Sequence, residues 1–430
     1  MLPWDKIIRM KKRIVFLLPF FLLSCSKEWD DIPSPNLKED DFTFFVASDL
    51  HYLDPSLRDE TFSPDVASIS GDGKATYYSE EILDTYIDTI KEKKPDAVFF
   101  TGDNTLNGSQ ASHDGFISKI KEIQKEGIPV YVLLGNHDVG NYPAFSFLNG
   151  KSTSIPVYKA EEVKQKYSRF GYHQAEYKDP SSFSYIKEVA SNTYAIMLDS
   201  NTDSERLFPN ESLNWLEGVL KTLHSKNASI LSFSHQPLLL ENRSMGESNI
   251  IVNAERIRSL YQKYNVSTNF AGHLHTQHIA KEDGLLEILT SSLSSTPNHY
   301  GVIHSQKGKW SYHTENLDVS SFAKKEGYTD PNLLNFSSFV DWLFDKTNSY
   351  NLTRSFYQDE ELTNEKRNSL IDIVSLLNKS YFTGIPLEKN EENDKKVNEL
   401  ETYLVEHQNK YLNELIEEYL ANQNYNSINF

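Results

Sequence analysis

A chain of 430 residues has room for one large domain or two medium ones, and 38% hydrophobic content with 24 Tyr and 24 Phe excludes an intrinsically disordered protein. A net charge of −18 and a pI near 5.2 exclude duplex nucleic acid as an expected partner, because affinity for a polyanion rests on lysine and arginine. The single cysteine, Cys25, excludes an intrachain disulfide.

Lys11-Lys12-Arg13 precede an apolar run from Ile14 to Leu23, which leads into Ser24-Cys25. A basic segment, a short apolar run and a small residue describe a secretory signal, too short to span a bilayer. Leu22-Leu23-Ser24-Cys25 resembles the lipobox of bacterial lipoproteins, whose cysteine is acylated and becomes the first residue. The likeness implies a signal peptide over 1–25, lipidation at Cys25, and a protein anchored to the extracytoplasmic face of a bacterial cell membrane by buried methylenes. Residues 26–41 read as a polar tether.

Phe42–Ala47 is a strand by its aromatic and β-branched content, and it runs into Ser48-Asp49-Leu50-His51. A long loop over 53–78 carries Gly71-Asp72-Gly73-Lys74. Ser79 opens a helix with Ile82, Leu83, Tyr86, Ile87 and Ile90 on one face. Residues 97–100 form a short buried strand ending in Thr101-Gly102-Asp103-Asn104. A helix over about 113–126 leads to a strand over 128–134 and then Gly135-Asn136-His137-Asp138. Strand and helix alternate as in parallel crossover units, whose strand ends are where open α/β sheets bind ligands.

Residues 141–150 read as a turn-rich loop and 161–170 as a helix. A strand over 193–198 ends in Asp199, and an amphipathic helix follows around Leu213–Leu223. The strand over 229–233 delivers Ser234-His235-Gln236-Pro237. A helix over 254–264 precedes the strand over 266–271 and Gly272-His273-Leu274-His275. Residues 285–318 are strand-like without a further polar cluster. Beyond about 320 the pattern turns helical, at 333–344, 370–377 and 397–420, which marks 319–430 as a helical C-terminal domain.

Asp49 and His51 can reach one metal, Asp103 can bridge two, and Asn136, His235, His273 and His275 offer further oxygen and imidazole donors. Hard oxygen and borderline nitrogen donors without thiolate suit Mn, Fe or Zn. Seven donors sharing one bridge leave two incomplete shells, and two divalent cations so placed polarise a phosphoryl group.

Asp49-Leu50-His51, Gly102-Asp103, Gly135-Asn136-His137-Asp138, His235 and Gly272-His273-Leu274-His275 resemble, in order, the five signature blocks of the calcineurin-like metallophosphoesterase superfamily. The likeness spans about 42–318. It implies an α/β fold, a four-layer α-β-β-α sandwich of two mixed sheets, with the helical domain appended. It also implies one metal held by Asp49, His51, Asp103 and His275 and a second held by Asp103, Asn136, His235 and His273. His137 is then catalytic, stabilising phosphoryl oxygens or protonating the leaving group, with Asp138 orienting it. A hydroxide bound by the two metals is the implied nucleophile.

Leu106, where purple acid phosphatases carry a tyrosine ligand, and Leu106-Asn107-Gly108, where Ser/Thr protein phosphatases carry Asp-Arg-Gly, disfavour both branches. The chain is most similar to class III cyclic-nucleotide phosphodiesterases and to secreted Firmicutes lipoprotein phosphoesterases with a helical C-terminal domain, sharing Asp49-Leu50-His51-Tyr52-Leu53. The expected substrate is a small phosphodiester, with cyclic nucleotides such as 3′,5′-cyclic AMP favoured. The alternatives are a phosphomonoesterase, a cell-wall phosphodiester hydrolase, or a surface-binding lipoprotein without chemistry. Asn104 and His113 are further candidates for substrate contact. His278, His299, His304, His313 and His407 read as core or surface histidines. Nothing in the sequence sets an oligomeric state.

Overall fold

Strict alternation along Phe42–Ala47 explains how the layers form. Phe42, Phe44 and Val46 belong to one hydrophobic cluster, while Phe45 and Ala47 belong to another on the opposite face. A strand buried on both faces must lie inside a sheet covered on both sides. The computed structural model describes residues 29, 31–62, 73–202, 206–241, 246–407 and 410–430. The expected signal segment with Cys25, and Gly71-Asp72, lie outside the described residues.

The first sheet runs Ser427–Asn429, Lys309–Asn316, His299–Gln306, Phe42–Ala47, Ala97–Phe100, Val130–Val132. Phe42–Ala47 pairs parallel with Ala97–Phe100 and antiparallel with His299–Gln306, so the sheet is mixed. The second runs His278–Glu282, Leu285–Leu289, Thr268–Ala271, Ser229–Ser234, Thr193–Leu198, Tyr185–Ala190, Tyr177–Lys178. Its central four strands are parallel.

The sheets pack face to face through one aromatic-rich cluster, in which Phe99 stacks on Phe233 at 4.3 Å with the rings nearly parallel. Helices Ser79–Lys93 and Gln110–Lys125 cover the outer face of the first sheet. Asn210–Ser225 and Ala254–Tyr264 cover the outer face of the second. The expected four-layer sandwich is therefore the architecture found.

The helices of the C-terminal region fall into two groups by the core they join. Val319–Lys325, Pro331–Leu334 and Phe336–Thr347 place Val319, Leu333, Phe336, Phe339, Val340 and Leu343 in the same cluster as the first two helices. The first of these helices therefore pack onto the sandwich in one continuous core. The later helices Tyr350–Gln358, Asn364–Thr383, Glu391–His407 and Lys410–Leu420 have a cluster of their own.

Two stretches depart from expectation. Within 141–150, read as a loop, Ala144–Leu148 pairs with Lys151–Ile155 in a hairpin. The second hairpin strand is exposed along most of its length, so it lacks the alternation that signals a strand. The tether also packs onto the domain from Trp29 onward. Its indole stacks on His173 at 4.4 Å, Ile32 is buried, and Asp31 and Lys38 pair with Arg169 and Asp96 at 3.2 and 2.6 Å. Two apolar side chains and matched charges are enough to dock a segment that looks polar overall.

Candidate dimetal site

Five strands end at one rim. Asp49, His51, Asp103 and Asn136 follow strands of the first sheet, and His235, His273 and His275 follow strands of the second. Asp49, His51, Asp103, His273 and His275 all have positive φ, between 49° and 70°. A non-glycine residue pays roughly 1–2 kcal/mol for that conformation. Five such residues at one rim show a backbone held in strain to aim side chains at a common point. At Gly135 a β-carbon would lie 2.1 Å from Asp103 Oδ1, so only glycine lets the loop bearing Asn136 pass so near that carboxylate.

Two groups of donors result, Asp49, His51, Asp103 and His275, and Asp103, His235 and His273. Asp103 belongs to both. Its Oδ1 accepts the His137 backbone N–H at 2.8 Å, while Oδ2 lies 3.3 Å from His235 Nε2 and 3.8 Å from His51 Nε2. Asn136 Oδ1 joins the second group, 3.1 Å from His235 Nε2. On Asp49, Oδ2 accepts Ser48 Oγ at 2.5 Å and the His273 N–H at 2.9 Å, and Oδ1 is aimed at His275 Nε2, 3.5 Å away. The seven ligands expected from sequence are all at this rim.

Several observations fit this donor set to cations. Asp49 Oδ1 is a buried polar atom without a hydrogen-bond partner, and His51 Nε2 and His275 Nε2 converge to 3.1 Å. His235 Nδ1 meets the Thr101 carbonyl at 3.0 Å and must carry its proton to do so. The neutral ring then turns an Nε2 lone pair toward the oxygens of Asp103 and Asn136, acceptors that repel one another unless a cation sits among them. Against burial, which lowers it, the charges of Asp103 and Asp49 lift His235 to about 9. Burial and the charge of His235 push His273 down to about 3. Despite burial, His235 and His137 hold Asp103 well below the usual carboxylate range.

His137 and Asp138 are at the rim, but the expected partnership between them is not. His137 Nδ1 donates to Asn107 Oδ1 at 2.6 Å, and the Asn107 amide is oriented by donating its own N–H to the Pro143 carbonyl. His137 Nε2 faces the donors, 4.0 Å from Asp103 Oδ2. The Asp138 carboxylate is instead saturated by five other donors. Its Oδ2 accepts from Gly135 N, Asn104 N and Asn104 Nδ2, and its Oδ1 accepts from Thr105 N and Oγ1, all within 3.1 Å. Asp138 pins the Asp103 loop to the Asn136 loop and leaves His137 to Asn107.

Asn104 and His113 are likewise corrected as substrate contacts. Asn104 spends its amide on the Leu133 carbonyl and Asp138. His113 is fully buried, with Nε2 donating to the Asp138 carbonyl and Nδ1 accepting from Tyr167, both at 2.9 Å. Both hold the loops from behind. Sequence reasoning passed over Gln236, whose Nε2 donates to Asn136 Oδ1 at 3.2 Å and to Asn201 at 2.8 Å. Its position next to His235 was the available signal.

Beside His137 opens a cavity of about 370 Å³. Lys74, Thr76, Asn107 and His137 line it together with Tyr142, Phe145 and Phe147 of the hairpin region. Tyr142 stacks on the His137 ring at 4.4 Å.

A sandwich of two mixed sheets with two sets of oxygen and imidazole donors sharing one carboxylate defines a binuclear metallophosphoesterase. Residues 42–277 match the family model of the calcineurin-like phosphoesterases, and the chain belongs to that family. Residues 318–427 match the family described as the C-terminal domain of cyclic nucleotide phosphodiesterase. A relative described as a probable glycerophosphodiester phosphodiesterase, GpdQ, from Arcobacter nitrofigilis is 27% identical over 193 residues, 44% of this chain and 60% of that protein. The match thus spans less than two thirds of that relative. Among solved structures, a dimetal phosphatase from Danio rerio aligns over 65% of this chain and 97% of its own, at 14% identity and a TM-score of 0.47. A purple acid phosphatase from yellow lupin aligns over 66% and 53%, at 14% identity and a TM-score of 0.41.

Proposed function

We propose that the protein hydrolyses small phosphodiesters, with nucleoside-type diesters such as cyclic nucleotides favoured over glycerol diesters. The observation that carries this preference is the cavity beside His137, which Tyr142, Phe145 and Phe147 line with aromatic surface together with Asn107 and His137. A volume of about 370 Å³ takes one flat group of nucleobase size, and aromatic side chains hold such a group by stacking.

When bound, two divalent cations supply Lewis acidity to the phosphoryl oxygens and lower the pKa of water. The chain's own residues do the rest. Asp49, His51, Asp103 and His275 form one seat, and Asp103, Asn136, His235 and His273 form the other. Gln236 fixes the amide of Asn136 so that Oδ1 faces His235. His137 has Nδ1 committed to Asn107 and Nε2 facing the donors, so the ring would donate to a departing oxygen only as the imidazolium, with its second proton on Nε2.

We also propose that Cys25 is lipidated and that the enzyme works outside the cytoplasm on extracellular nucleotides, the support being the signal-like segment ahead of that cysteine. Among the described residues no helix is long and apolar enough to cross a membrane.

The test is a substrate panel on residues 26–430 loaded with Mn²⁺: bis-p-nitrophenyl phosphate, p-nitrophenyl phosphate, 3′,5′- and 2′,3′-cyclic AMP, and glycerophosphoethanolamine, with Asp103→Asn as control. Preference for glycerophosphoethanolamine would overturn the nucleoside preference, and preference for the monoester would overturn the diesterase assignment. Retention of Cys25→Ala on the membrane would overturn the anchor.

A further inference from the structure

Lys74 is a buried cation that none of this chemistry uses. It is only 3% exposed, in a class of side chain that is almost never buried without a purpose. It shares the cavity wall with Thr76, Asn107 and His137. Its charge reaches His51 and His137, contributing to the lowering of both imidazoles after burial itself.

Its placement is enforced from both sides. Ala75 N donates to the Ser294 carbonyl at 2.8 Å, and Ser294 and Ser292 donate through their hydroxyls to the Asp49 carbonyl at 3.3 and 2.7 Å. Gly73 has φ +78° and packs on the C-terminal region, where a β-carbon would lie 2.6 Å from the Phe344 ring and 3.1 Å from the Phe344 α-carbon. Only glycine fits there on both counts. The lysine therefore stands on a segment clamped between the loop that supports Asp49 and the helix Phe336–Thr347.

An ammonium held beside seats for two divalent cations is repelled by them when they are filled. An anion lying between the ammonium and the two seats would be attracted by both, since opposite charges in a partly desolvated site pair. We infer that Lys74 is a substrate-binding residue that contacts a non-bridging oxygen of the phosphoryl group, and that the C-terminal helical region holds it there through Gly73 and Phe344. This rests on the site binding a phosphoester, and it gives the helical region a part in substrate binding.

The test uses the full mature chain loaded with Mn²⁺ and compares wild type with Lys74→Met, Lys74→Gln and Gly73→Ala. Inorganic phosphate binding is measured by calorimetry, metal content by elemental analysis, and kinetics with bis-p-nitrophenyl phosphate. Loss of a charge-assisted contact weakens phosphate binding about tenfold or more. KM should rise by a similar factor with kcat less affected, and metal content should be unchanged. Gly73→Ala should shift phosphate affinity in the same direction although it removes no charge. Lys74→Gln covers the case in which methionine does not fold at this site. Unchanged phosphate affinity in the folded lysine variants would overturn the inference, as would a loss explained entirely by lost metal. If the wild type binds phosphate but turns over no diester, the substrate proposal fails while the Lys74 assignment still stands or falls on the phosphate measurement.

Discussion

Replacing Asp138 by asparagine separates two roles for this carboxylate. The five donors around Asp138 divide into three on Oδ2 and two on Oδ1. In the less costly orientation the new amide keeps its oxygen toward Gly135 N and Asn104, and turns its NH₂ toward Thr105. The Thr105 hydroxyl can rotate and accept, but the Thr105 backbone N–H cannot. One buried donor is left unpaired, at about 1–3 kcal/mol. The three remaining bonds lose their charge assistance and so about half their strength. The sum is about 3–5 kcal/mol, a large part of the 5–15 kcal/mol that holds a typical protein together. Because Asp138 ties the Asp103 loop to the Asn136 loop, metal retention should weaken along with stability. Denaturant unfolding of the metal-free protein gives the first quantity and elemental analysis gives the second. Unchanged stability and metal content with a large fall in kcat would refute this account and restore Asp138 as the partner of His137.

Asn107→Ala should do the reverse, lowering kcat about ten- to a hundredfold while stability stays within about 0.5 kcal/mol, as for a half-buried side chain outside the core; paired activity and denaturation measurements check it. Glu241 and Glu287 form a carboxyl pair behind the His235 loop. Burial and then the charge of Glu287 push Glu241 well above its ordinary pKa. A folded-state pKa above the unfolded value of about 4.3 means that the folded state keeps its proton longer. Stability should therefore fall as pH rises from about 4.3 toward the folded value, and Glu241→Gln should flatten that slope in denaturation curves recorded from pH 4.5 to 8. Ending the chain at residue 318 removes Leu333, Phe336, Phe339, Val340 and Leu343 from the core against Ser79–Lys93. The product should be insoluble or unfolded by circular dichroism, and a folded, active fragment would show that those side chains are dispensable.

What could be read from residues alone was whatever depends on periodicity. Phe42–Ala47 alternates between two clusters, and Ile82, Leu83, Tyr86, Ile87 and Ile90 of Ser79–Lys93 are all buried as their spacing required. Asp49, Asp103, Asn136, His235 and His273 follow strands of that kind, so their convergence was legible before any coordinate. Left-handed turns at five of the seven expected ligands were not, since Asp and His carry no mark of a positive φ. The Lys151–Ile155 strand was missed because neither of its faces is consistently buried, and Trp29 and Ile32 because two apolar residues in a polar stretch make no pattern.

The error over Asp138 has a different origin. A carboxylate next to an imidazole in sequence invites pairing, but residues adjacent in a turn point apart, and hydrogen bonds follow direction. The His137 ring faces outward to the cavity, where Asn107 arrives from the loop after the Ala97–Phe100 strand. The Asp138 carboxylate faces inward, where Gly135, Asn104 and Thr105 offer N–H groups that nothing else could satisfy. Within one tetrapeptide, Asn136 turns its amide oxygen to His235, His137 lines the cavity, and Asp138 holds the loop that carries them both. The division is set by which neighbours offer donors and which offer acceptors, and Asn104, Thr105 and Asn107 come from a loop some thirty residues earlier in the chain.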